Sequence, residues 1–194
     1  MAQSSKAICM SKTRLFDCAA LVSFLILLLA LPAAARQWNP GSSGAALDYT
    51  QILHAKGNGE IVVIWWVVPE TFASVPNSQP LQDVLSRYVV IGVADGHAGA
   101  NGAMSYGEVA DLKITDQTAR SLSALPSNVT PPEVAQAISA LQTIARQSLG
   151  PVGQGIRWFV FDGSTIHSCT PGKMSVPYGG ETYTYDTPIP GCAK

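Results

Sequence analysis

Asp95-Gly96-His97 is the sharpest chemical candidate in this chain. On an extended backbone, residues two apart point to the same side, so this carboxylate and imidazole could share a proton or a metal ion. A Gly-rich segment follows at the end of an apolar run, the kind of place where sites form. Asp-Gly is also a strong turn former, and the turn is the reading the dipeptide favours. His167 is a second candidate imidazole, although nothing in the sequence brings it near His97. One carboxylate and one imidazole do not make a metal site, so no metal and no cofactor is expected.

Other catalytic patterns are missing or badly spaced. No GxSxG occurs. The glycines at 96, 99 and 102 do not make GxGxxG, and an extended segment rather than a helix follows them. Glu60 and Glu70 flank one apolar strand ten residues apart, roughly 30 Å when extended. That separation excludes a glycosidase pair. Tyr183 and Tyr185 share one face of a C-terminal hairpin and are candidate binding residues for a saccharide or peptide. Burial in a sheet is the competing and commoner role for such aromatics.

The elements that must position these residues begin after a leader. Lys12 and Arg14 precede an apolar run from Ala19 to Leu31, broken by Pro32 and closed by Ala33-Ala34-Ala35. This is the pattern of an export signal over residues 1–35, with Met10 an alternative start. The run is shorter than the roughly 20 residues of a comfortable span. Retention as an N-terminal anchor is the minority reading, and no later segment is long enough to span a membrane. Removing the leader takes Cys9 and Cys18 with it and leaves Cys169 and Cys192, predicted to form one disulfide in an oxidising compartment. A thiol reading of Cys169 has no CxxC or Cys/His cluster to support it.

The chain that remains has nine Lys/Arg against twelve Asp/Glu, a net charge of −3. No nucleic-acid partner is expected, because displacing its counterions needs concentrated basic charge. Charged residues are only 13% of the sequence, about half the usual share. Solubility must therefore come from Ser, Thr, Gln, Asn and Gly.

Residues 36–58 read as a flexible lead-in and 59–194 as one β-rich domain. Ile61–Val68 (IVVIWWVV) has no alternation, as in a strand buried on both faces. Tyr88–Ala94 is a second strand, and shorter ones are expected at 104–106, 111–115, 121–125 and 156–162. The best-marked helix runs over 131–149, with Thr130 as N-cap, Pro131 at the first helical position and Glu133 closing a capping box. Its apolar stripe is Val134, Ile138, Leu141 and Ile144. Gly179-Gly180 suits the two-residue turn of a terminal hairpin, and Pro177 argues for an edge strand.

These elements predict an immunoglobulin-like antiparallel β-sandwich with one inserted amphipathic helix. An open α+β sheet covered by the helix is the second choice. Trp65, Trp66, Trp158 and Phe161 are the expected core. The functional expectation is a secreted or periplasmic, non-catalytic binding or envelope-accessory domain, whose partner is a saccharide, a peptide or another envelope protein. The alternative is a small exported metal-dependent hydrolase using Asp95 and His97, with His167 as a further candidate. A subunit held through a hairpin edge strand is a third possibility.

Overall fold

The computed structural model describes residues 36–37, 50–55, 59–189 and 192. The leader, the start at Met10, Cys9, Cys18 and much of the lead-in lie outside the described residues. Two sheets carry the fold. The first joins β2 (Thr50–Ala55), β3 (Glu60–Val67), β4 (Tyr88–Ala98), β5 (Met104–Tyr106) and β8 (Arg157–Asp162). The second has the order β1 (Arg36–Gln37), β10 (Glu181–Thr187), β9 (Gly172–Tyr178), β6 (Lys113–Thr115), β7 (Ser121–Ser123). All pairings are antiparallel except β1 with β10. Each sheet thus holds five strands, against the four and three of a constant-type immunoglobulin domain.

The helices are α1 (Gln79–Arg87), α2 (Pro132–Leu149) and the single turn α3 (Pro151–Gln154). They explain why β3 shows no alternation. Its even-numbered residues face the second sheet, where Trp66 meets Tyr185 edge-on at 5.5 Å. Its odd-numbered residues face the helices, and Trp65 packs there against Trp158, whose indole Nε1 donates to Gln142 of α2. Both faces are covered, so every position from Val63 to Val67 is buried and an apolar residue is favoured at each, at roughly 1.5–3 kcal/mol per buried side chain. Val160 of β8 closes a smaller cluster with Val84, Val134 and Ala137 beneath α1 and α2. The molecule is a mainly β sandwich with one long helix, and Trp65, Trp66 and Phe161 lie in its core as expected.

Four expectations need correction. Asp95-Gly96-His97 is not a turn, because β4 continues to Ala98, paired with Glu60–Val62 on one side and β5 on the other. Neighbours on both edges override the local turn preference of Asp-Gly. The lead-in is not loop throughout: Thr50–Ala55 pairs in register with Glu60–Trp65 and covers what would otherwise be a long apolar edge.

The capping box does not form. Pro132 holds the preceding residue extended, so Pro131 (φ −61°, ψ 151°) becomes the N-cap and the helix starts one residue late. Thr130 Oγ1 donates instead to the Pro126 carbonyl, and Glu133 reaches Arg87 at 3.7 Å. Finally, β9 lies inside its sheet rather than at an edge. Pro177 is tolerated because β9 meets β6 only at Ser175–Thr115, leaving the proline outside that pairing.

Candidate functional site

Asp95 and His97 do share one face of β4. Asp95 is half-buried and accepts a 2.7 Å hydrogen bond from the Tyr178 hydroxyl on β9. Burial, and then the neighbouring carboxylate, push the Tyr178 phenol above its ordinary value. His97 is exposed, with Glu60 as its cross-strand neighbour. His167 lies elsewhere, on the connection between β8 and β9. The ligand atoms of Asp95, His97 and His167 do not gather within 4.8 Å of one another.

The shared face of Tyr183 and Tyr185 is the inward one, which corrects their reading as exposed binding residues. Tyr183 is 3% exposed and Tyr185 fully buried, its hydroxyl donating to the Ile64 carbonyl across the sandwich. The hairpin turn forms as expected, with Gly179 and Gly180 both at positive φ (59° and 79°). Its aromatics serve to clamp one sheet on the other.

A pocket of about 290 Å³ with a mixed polar and apolar lining carries no signal in the sequence. The single pairing of Thr115 with Ser175 carries the turn after β6 to the base of β9, bringing residues 116–120 beside the connection 164–173. Arg120 and Lys173 supply cationic groups, His167 an imidazole, and Thr118, Ser164 and Thr165 hydroxyls. Asp116 organises this wall. Its Oδ1 accepts from the Thr118 hydroxyl at 2.7 Å, the Thr118 amide at 2.9 Å and the Arg120 amide at 3.0 Å. The Thr118 hydroxyl first, and then the two amides, hold its carboxyl below the ordinary value against an opposing effect of burial. Asp116 Oδ2 meets the Arg120 guanidinium at 3.5 Å. Asp-x-Thr marks the turn in sequence, but its partners lie 45 residues away, where no local signal reaches.

The connection from Gly163 to Pro171 is anchored by the Cys169–Cys192 disulfide, with Cα atoms 5.4 Å apart. Beneath it lies Glu70, in a 3₁₀ turn (Pro69–Phe72) that ends β3. Its Oε1 accepts from the Ser168 hydroxyl at 3.0 Å and stands 3.1 Å from Cys169 Sγ. Among the described residues no helix is long and apolar enough to cross a membrane. No protein-family model, curated protein or solved structure matches the chain.

Proposed function

We propose that this chain is an exported, non-catalytic binding domain that takes an acidic saccharide in the pocket formed by residues 116–120 and 164–173. The observation that carries this reading is the lining itself. Two cations, Arg120 and Lys173, stand among hydroxyl side chains around a cavity near the lower end of ligand-site volumes. Asp116 neutralises part of the Arg120 charge, leaving one positive charge in excess. A sugar carboxylate fits that excess, and ring hydroxyls fit Thr118, Ser164 and Thr165.

Export is supported by the leader pattern and by a disulfide, which persists in oxidising compartments. Secretion or the periplasm is the compartment this reading assigns. Calorimetric titration with uronic-acid oligosaccharides and their neutral counterparts tests the binding reading. Saturable binding of the acidic set, weakened about tenfold or more by Arg120→Ala or Lys173→Ala, is the expected result. Binding of neither set, or binding indifferent to both substitutions, overturns it. Intact mass of the exported protein tests the leader, and a mass beginning at residue 1 or 10 overturns its removal.

The metal-dependent hydrolase is the second reading, and the Tyr178–Asp95 hydrogen bond beside His97 is the observation that favours it. Stoichiometric metal retained by the purified protein and lost with His97→Ala would favour it over the binding domain.

A further inference from the structure

Glu70, Cys169 and Cys192 place a carboxylate oxygen and two sulfurs all within 4.8 Å of one another. We propose that the dithiol form of this protein binds one zinc ion through these three residues, making the Cys169–Cys192 pair a redox-gated metal site. A disulfide does not account for the carboxylate. Among the described residues Glu70 Oε2 is buried with no hydrogen-bond partner, and an unsatisfied buried acceptor is unfavourable. A cation shared with the sulfurs would satisfy it.

The geometry suits tetrahedral zinc. Zn–S bonds of about 2.3 Å and Zn–O bonds of about 2.0–2.2 Å put neighbouring donor atoms roughly 3.5–3.8 Å apart. Once the S–S bond is cleaved, small side-chain rotations reach that arrangement from donors already this close. The Ser168 hydroxyl donates to Glu70 Oε1, the oxygen that stands 3.1 Å from Cys169 Sγ, and so fixes the carboxylate beside the sulfurs, as a supporting hydrogen bond does for a metal-bound carboxylate. A cavity of about 140 Å³ bordered by Glu70, His167 and Cys169 leaves room for a water at the fourth position. The mixed set of two thiolates and a hard carboxylate favours Zn(II) over Cu(I), which prefers sulfur alone.

Cys169 is exposed, so a reductant can reach its sulfur. A trialkylphosphine supplies the two electrons and becomes the phosphine oxide, with one water giving the oxygen and two protons. The disulfide thereby becomes two thiols. Zinc then displaces both thiol protons and binds the two thiolates with the Glu70 carboxylate.

Cobalt(II) is the spectroscopic probe, with zinc as its competitor. The full chain is compared in oxidised and phosphine-reduced forms, with circular dichroism recorded in parallel. The expected result is no binding by the oxidised form. The reduced form should take one cobalt, with thiolate-to-metal charge transfer in the near ultraviolet and tetrahedral d–d bands, all displaced by one zinc. Glu70→Gln should weaken this binding about tenfold or more while leaving the charge-transfer band in place. If the reduced chain loses structure, its recovery on adding cobalt supports the site equally. A reduced chain without the charge-transfer band, or a Glu70→Gln variant that binds as tightly as the parent, overturns it.

Discussion

Trp65 and Trp158 meet with ring centroids 5.5 Å apart at 56°, although a whole strand separates their backbones. The residue between them is Gly92, the register partner of both. Only the missing side chain lets the indoles meet above β4. A Cβ at Gly92 would lie 2.8 Å from Trp158 Cζ3 and 2.9 Å from Ile156 Cγ2. Trp158 cannot swing away freely, since its Nε1 is held by Gln142 at 2.8 Å. Gly92→Ala should therefore cost about 1–3 kcal/mol, the range for overpacking a filled core. Urea unfolding followed by tryptophan fluorescence measures it, and an unchanged midpoint would mean that the indole pair yields more easily than its hydrogen bond allows.

The disulfide should carry a large share of the stability. It closes a loop with a sequence separation of 23, for which the chain-entropy model gives about 3.5 kcal/mol. The paired variant Cys169→Ser/Cys192→Ser, unfolded in urea with a chelator present, should lose most of that amount. A loss below about 1 kcal/mol would indicate that the two Pro-flanked ends of the loop are already held together in the unfolded chain.

What could be read from sequence divides by the range of the signal. The run Ile61–Val68 announced burial on both faces, because continuous apolarity has few other outcomes. Gly179-Gly180 announced its turn equally well, since two consecutive positive φ angles favour glycine. Thr130 and Glu133 mislead because the clash that Pro132 imposes on its neighbour overrides the capping-box pattern. Asp95-Gly96-His97 misled in the opposite sense, as pairing on both edges of β4 outweighed its turn chemistry. The pocket was not legible at all. Arg120 and Lys173 come to line one pocket through the pairing of Thr115 with Ser175, and no periodicity encodes that register.

Tyr185 should reveal itself in two ways. Its hydroxyl donates to the Ile64 carbonyl at 2.9 Å inside a core that excludes water. Tyr185→Phe removes that bond and should cost about 1 kcal/mol or slightly more. Burial also pushes its ionisation above the ordinary value of 10.0, and Tyr178 is raised the same way. In the unfolded chain both phenols ionise near that ordinary value, so their contribution is intact below it and is lost as pH rises beyond it. Of the six tyrosines in the sequence, at least these two should be missing from an ultraviolet titration until the protein unfolds in alkali. A smooth titration of all six in the folded state would contradict the burial of this clamp.

Asp116 gives the opposite pH dependence and links stability to the pocket. Its folded value is held below the ordinary carboxyl value of 3.8, chiefly by the Thr118 hydroxyl and then by the Arg120 and Thr118 amides. A lowered acid contributes fully above its unfolded value, and the contribution disappears as pH falls through the folded one. Protonation would remove an acceptor of three hydrogen bonds and release Arg120 from its 3.5 Å ion pair. The wall of the pocket would then loosen together with the turn. The parent protein should lose thermal stability as pH falls below about 4, whereas Asp116→Asn should start from a lower Tm and show a shallower acid slope. The same variant should leave binding by Lys173 intact while weakening any ligand contact that relies on Arg120. Thermal unfolding from pH 3 to 7 on both proteins checks this, and parallel acid slopes would remove Asp116 from the account of the pocket wall.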